Sequence, residues 1–174
     1  MLEERLQRHS AKIVPLDIKL SAEKRILIIS GPNAGGKSVC LKTVGLLQYM
    51  LQCGVPIPVS ERSQCGLFTD LMIDIGDEQS IENDLSTYSS HLYNMKNMMR
   101  QAQPTSLILI DELGRGTATY DGMALAQAII EHIHHYTGAK TLFATHYHEL
   151  TALENSLEHL ENVHVATLEK DGQV

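Results

Sequence analysis

Gly31, Pro32, Asn33, Ala34, Gly35, Gly36, Lys37 and Ser38 follow the spacing G-x-x-x-x-G-K-[ST] of a phosphate-binding loop. Glycines allow the backbone to wrap close to a phosphate, because no Cβ stands in the way. The N–H groups of such a loop, and of a helix starting with it, direct donors and a partial positive charge at the anion. Lys37 is then the residue for β- and γ-phosphates and Ser38 the hydroxyl for Mg²⁺. With Val39 opening the following helix, residues 31–39 form the candidate nucleotide-binding stretch. Further on, Ser106-Leu-Ile-Leu-Ile-Asp-Glu112 is an apolar run ending in two carboxylates. Asp111 suits the hydration shell of Mg²⁺, and Glu112 suits the orientation or deprotonation of an attacking water. His146, in Ala144-Thr-His-Tyr-His148, is a candidate to touch a γ-phosphate and report its loss.

Two other patterns carry less chemistry. His132, His134 and His135 suggest a zinc cluster, but their spacing does not bring all three to one helix face, and a solvated helix end is expected. His148-Glu149 begins H-E-x-x-H, yet Ala152 stands where the second His belongs, which excludes that metalloprotease. Asn83-Asp-Leu-Ser-Thr-Tyr-Ser-Ser90 reads as a well-capped helix start. In ATPases that sandwich nucleotide between two subunits, such a start faces the partner's γ-phosphate, and Ser86 and Thr87 are the candidates for that contact.

The elements that must position these groups follow from hydrophobic periodicity. Arg25 to Ser30 reads as a buried parallel strand feeding the loop, and Val39 to Leu51 as a helix with Leu41, Val44, Leu47 and Leu51 on its apolar face. Gly54 is placed to cap it, and Pro56 and Pro58 keep the next stretch extended. Leu71–Ile75, Leu107–Ile110 and Thr141–Ala144 are the further buried strands, and 162–168 alternates as another. Helices are expected from Ser86 to about Arg100, from Met123 to His135 and from Tyr147 to Glu154, with loops over 76–84 and 114–122. Residues 12–20 alternate apolar and polar around Asp17 and Lys19 and read as a strand, at an edge because of Pro15. Residues 170–173 look like a hairpin turn whose return strand is missing, so the chain is expected to stop inside its domain. The expected fold is α/β: one domain over 1–174, a mostly parallel sheet flanked by helices, and a small antiparallel element from 12–20.

Composition narrows the function classes. A length of 174 residues, 43% of them hydrophobic, suffices to bury a core, and no apolar run approaches a membrane span. Three cysteines without a C-x-x-C pair favour reduced thiols in the cytoplasm. A net charge of −7 argues against a DNA-binding surface on this segment itself.

Taken together, GPNAGGKS, LILIDELGRGT, TYDGMALAQAI and ATHYHEL resemble the ATPase domain of the MutS family of DNA mismatch-repair proteins, a branch of the ABC-type P-loop ATPases. The likeness covers nearly the whole chain from about residue 12. It implies ATP and Mg²⁺ as ligands, and ATP hydrolysis coupled to homodimerisation through the ATPase faces. It also implies that DNA is contacted by domains absent from this chain. By resemblance, Lys37 and Ser38 are the phosphate-loop pair, Asp111 and Glu112 the acids, His146 the switch histidine, and Ser86 and Thr87 the trans-acting signature. Asp121 falls in the loop facing the other subunit, and His164, in Asn162-Val-His164, lies near the adenine. Residues 25–100, with DIGDEQSIENDLSTYSSHL, look like the second, Smr-bearing subfamily, linked to suppressing recombination or to ribosome rescue. Residues 111–168 look like the mismatch-recognising subfamily instead, so the chain reads as a natural intermediate or a chimera. Two rivals stay open at this point: a nucleotide-gated interaction module with little turnover, and an ABC transporter subunit. The second predicts an LSGGQ-like signature, which Asp84–Ser90 is not.

Overall fold

In the computed structural model, residues 14–32, 35–76, 84–112 and 118–166 are described, with the backbone alone for 84–88. Five strands form one sheet: β1 (Ile26–Ser30), β2 (Asp70–Asp74), β3 (Ser106–Asp111), β4 (Lys140–Ala144) and β5 (Leu160–His164). Their spatial order is β2-β3-β4-β1-β5, and all four pairings are parallel. Three α-helices accompany them: α1 (Lys37–Gln52), α2 (Asp84–Gln101) and α3 (Thr119–His132). A π-helical turn (Ile133–Thr137) continues α3, and a 3₁₀ helix (His148–Asn155) joins β4 to β5.

The continuous apolar runs of β1, β3 and β4 are explained by burial on both faces. Successive side chains of a strand point to opposite sides. Accordingly Ile26, Ile28, Ile108, Ile110 and Phe143 enter a core beneath α2, α3 and the 3₁₀ helix, with Met95, Ile129, Ile130 and Leu150. Leu27, Ile29, Leu107, Leu109 and Leu142 enter a second core beneath α1, with Cys40 and Leu41. Gly45 lets α1 sit close to the sheet, since a Cβ there would stand 3.0 Å from Leu109 Cδ1. The stripe of α1 that reaches the core is therefore Cys40, Leu41, Val44 and Gly45, while Leu47 and Leu51 are only half-buried.

Several expectations hold at the level of local chemistry. Gly54, at φ +73°, follows the end of α1, and Val55 N–H donates to Met50 O at 2.9 Å, closing the helix with a Schellman-type bond. Gly138, at φ +66°, ends the π-helical turn. Within that turn the Thr137 hydroxyl donates to Ile133 O at 2.9 Å and accepts from Ala139 N–H at 3.2 Å.

Others are corrected. No strand forms over the described part of 12–20, and no antiparallel pairing exists among the described residues. Pro15 withholds a ladder donor. Ile18 and Leu20 pack against the core under α1, so the alternation there reflects lateral packing rather than pairing. The α3 helix begins at Thr119, not Met123, and ends at His132. Asp121 therefore sits in the first helical turn rather than in a loop; an acid there is favoured by the helix dipole. Helix α2 begins at Asp84, two residues before Ser86. The fifth strand spans 160–164 rather than 162–168. The expected leader at 1–10, the hairpin turn at 170–173 and most of the loops at 76–84 and 114–122 lie outside the described residues.

Candidate functional site

Because every strand is parallel, all five C-terminal ends line one edge of the sheet, where open α/β sheets place their ligands. Read across that edge, β2 ends in Asp74, β3 in Asp111 followed by Glu112, and β4 in Ala144 followed by Thr145 and His146. Next come β1, ending in Ser30 and leading into Gly31, and β5, ending in His164. The phosphate-loop strand and the acid-bearing strand are not neighbours. With β4 between them they stand about 9–10 Å apart.

Gly31 is buried at φ +132°, and a Cβ there would meet Val165 O at 2.4 Å. Val165 is held in place by its own N–H, which donates to Ser30 O at 2.8 Å. Only glycine combines that backbone angle with that closeness. Within the loop, Gly35 N–H donates to Pro32 O at 2.9 Å. Gly36, in the left-handed region at φ +81°, turns the chain into α1, and open space surrounds the position a Cβ would take. No side chain caps α1 and its first turn holds no acid, so its N-terminal N–H groups are left to an anionic ligand. Asn33 and Ala34 lie outside the described residues.

Lys37, the first residue of α1, is 2% exposed. Its Nζ donates to Gly31 O at 2.7 Å, tying the ammonium across the mouth of its own loop. Ser38 and Val39 follow on the same turn, Ser38 half-buried and Val39 exposed. Asp111 is 8% exposed, and its Oδ1 has no hydrogen-bonding partner among the described residues. A buried carboxylate oxygen without a donor is costly, and a hydrated cation is one group that satisfies it. A serine hydroxyl and an aspartate carboxylate are the oxygen donors that Mg²⁺ takes, and the cation keeps several waters when so held. Asp111 and Ser38 therefore fit that ion.

Glu112 carries the strain of the site. Its φ of +50° is unusual for a side chain other than glycine, and its N–H donates to Ala144 O at 3.0 Å, locking the turn after β3 against the end of β4. Such a conformation costs on the order of 1–3 kcal/mol and persists where surroundings impose it. His146 is exposed, with its ring centroid 4.1 Å from that of the buried Tyr147. Thr145 N–H donates to Ile29 O, so the turn bearing His146 is joined to the strand feeding the phosphate loop. Burial, and then the Glu112 carboxylate, hold the Tyr147 phenol above its ordinary value. His164 Nδ1 lies 3.3 Å from Ser30 Oγ, opposite it in register, which brings this histidine beside the loop.

The sequence reading thus gathers correctly at one edge Lys37, Ser38, Asp111, Glu112, His146 and His164. It does not gather Ser86 and Thr87 there; they lie in the first turns of α2, and their side chains lie outside the described ones. Asp121 is exposed on α3, beside the exposed Tyr120. Residues missed altogether are Asp74, His91 and Asn94, a hydrogen-bonded group at the β2 end of the same edge. The available signal was Asp74 itself, an acid closing an apolar strand as Asp111 does. Tyr147 was also missed. Among the described residues no group of three His, Cys, Asp or Glu is arranged to hold a metal ion, and no helix is long and apolar enough to cross a membrane. The three cysteines are free, and burial raises the pKa of the Cys40 thiol.

Comparison with known proteins agrees with this geometry. The family model for MutS domain V matches residues 27–174. The chain is 58% identical over 161 residues to the DNA mismatch repair protein MutS of Streptococcus sanguinis, covering 92% of this chain and 19% of that protein. It is 50% identical to the DNA mismatch repair protein MutS of Streptococcus pneumoniae and 49% identical to the pneumococcal DNA mismatch repair protein HexA, with the same coverage. It spans about a fifth of the length of these relatives. A match that includes both halves of the sheet and every strand end of its ligand edge makes this chain a member of the MutS family, corresponding to its domain V.

Proposed function

We propose that the chain is the ATP-binding and ATP-hydrolysing domain of a MutS-type DNA mismatch repair protein, with the P-loop, ABC-type fold expected of such ATPases. The observation that carries this reading is the convergence on one sheet edge of a glycine-constrained loop, a buried lysine bound to it, and a buried carboxylate oxygen without a donor. In this reading the loop amides and Lys37 receive the β- and γ-phosphates, and Lys37 exchanges its bond to Gly31 O for phosphate oxygens. Ser38 and Asp111 hold Mg²⁺, which when bound neutralises charge on the β- and γ-oxygens. Glu112, held at its strained φ, orients the attacking water and accepts its proton. His146 stands between the phosphate loop and the acids, where it senses the γ-phosphate. His164 lies on the β5 side, suited to the base.

The site is completed by a second copy of the chain, whose Ser86 and Thr87 approach the γ-phosphate from the start of α2. The exposed first turn of α3, with Tyr120 and Asp121, is the surface offered to that partner. DNA is handled by other parts of the parent protein, in keeping with a net charge of −7 here. Three free cysteines suit a cytoplasmic setting. The mismatch-repair assignment is supported by 58% identity across 92% of the chain. A second reading, an origin of residues 25–100 in the Smr-bearing subfamily, rests on the Asp74–Ser80 motif.

The test is steady-state ATP hydrolysis across a protein concentration series, with Glu112→Ala as the control. A specific rate that climbs with concentration and vanishes in the variant is expected. A flat rate near zero with ATP still bound would instead make the chain a nucleotide-gated module. Turnover surviving in the variant would refute the role of Glu112.

A further inference from the structure

Asp74 closes β2 at the ligand edge and is 7% exposed. Both of its carboxylate oxygens are engaged from α2: His91 Nδ1 lies 2.7 Å from Oδ2, and Asn94 Nδ2 donates to Oδ1 at 3.1 Å. Facing a carboxylate, the ring nitrogen is the donor. The imidazole seats directly on the backbone after β2, since a Cβ on Gly76 would come within 3.3 Å of His91 Cε1. Asp74 is paired in register with Ile110, the residue before Asp111. The group therefore ties α2 to the strand pair that carries the acids.

Its position along the helix matters. The described residues of α2 that are buried in the core, Met95 and Met98, both lie C-terminal to His91. At 1.5 Å per residue, Ser86 stands about 7.5 Å beyond His91 but about 13.5 Å beyond Met95. A tilt of about 10° around Met95 would carry Ser86 by roughly 2.4 Å, enough to break a hydrogen bond to a phosphate.

We propose that Asp74, His91 and Asn94 form a positioning clamp that fixes the N-terminal half of α2 against the β2–β3 pair and so sets where Ser86 and Thr87 stand for a partner's γ-phosphate. The clamp rests on the composite-site reading for its purpose, though not for its existence. None of the three touches the nucleotide; they act through α2.

The test compares His91→Phe with His91→Asn, whose Nδ2 can occupy the place of the imidazole Nδ1. Amide hydrogen exchange is measured over 84–90 and over α1, together with ATP turnover at saturating ATP and high protein concentration. His91→Phe is expected to speed exchange in 84–90 about tenfold or more, the factor that loss of a hydrogen bond to a charged group corresponds to, while α1 is unchanged. The maximal rate should fall at least about tenfold with KM for ATP little altered, and His91→Asn should restore both. If His91→Phe fails to fold, Gly76→Ala, which presses on the ring without removing a donor, should give a smaller rise confined to the same segment. Unchanged exchange over 84–90, or a rise shared equally by α1, would overturn the clamp. Intact turnover in His91→Phe, with a concentration-dependent wild type, would overturn its functional role. If the wild type shows no concentration-dependent turnover, the composite-site reading fails and the purpose assigned to the clamp falls with it. The exchange pair then still decides whether the clamp exists.

Discussion

Replacing Gly31 with alanine should separate steric closure of the phosphate loop from mere backbone preference. The methyl would lie 2.4 Å from Val165 O, an atom that cannot retreat without breaking the Val165 N–H bond to Ser30 O. It would also force a side chain onto φ +132°. The conformational penalty is on the order of 1–3 kcal/mol and the overpacking penalty a further 1–3, so a loss of about 4 kcal/mol is expected. That is a large share of the roughly 5–15 kcal/mol that stabilises an ordinary domain. For a chain of this size it corresponds to a drop in Tm of about 8–16 °C. Gly36→Ala is the matched control: its φ is +81°, but open space surrounds the new methyl. It should lose only about 1–2 kcal/mol, or about 2–8 °C. Thermal denaturation followed by circular dichroism, with nucleotide titration of both variants, measures the difference. Equal losses in the two variants, or a Gly31→Ala loss below about 1 kcal/mol, would show that β5 does not brace the loop and would refute the steric reasoning.

Glu112→Gly should abolish ATP turnover while stabilising the fold by about 1 kcal/mol, because glycine accepts φ +50° without penalty; a lower Tm would contradict strain at this residue. Stability should also decline below neutrality through His134. Burial first, and then the neighbouring His135 and Arg25, lower its pKa from the ordinary 6.5. Below 6.5 the unfolded chain takes up a proton that the folded one refuses, so stability is full above that pH and is lost as pH falls toward the folded pKa. Urea denaturation at a series of pH values should show a shallower decline in His134→Gln, and an unchanged one would remove His134 as the cause.

The parts of the molecule legible in its sequence were those in which one stretch fixes its own structure. Gly31 to Ser38 and Ser106 to Glu112 each contain a strand end together with the groups it presents, and both lie where they were expected. What could not be read required partners distant in the chain. Nothing near Asp74 announces that His91 and Asn94 will converge on it, because that meeting depends on α2 crossing the end of β2. The alternation in 12–20 was real, but a period of two marks any chain lying sideways on a core, and only the pairing decides whether it becomes a strand. The start of α3 was placed late because Thr119, Tyr120 and Gly122 favour loops locally. The Gly122 N–H bond to Ala118 O shows the helix already formed there.

The parallel sheet has a consequence for synthesis. No two strands can pair as a hairpin, and β1, the first to be made, sits between β4 and β5, the last two. Ser30 lies 134 residues before its register partner His164. At about 5–20 residues per second, the ribosome needs roughly 7–27 s to supply that partner. Until then the apolar segment Ile26-Leu-Ile-Ile29 has neither neighbour and presents open edges of the kind that recruit other chains. The phosphate loop cannot close before Val165 emerges, so nucleotide binding is among the last properties the nascent chain acquires, and holdase chaperones should engage it through β1.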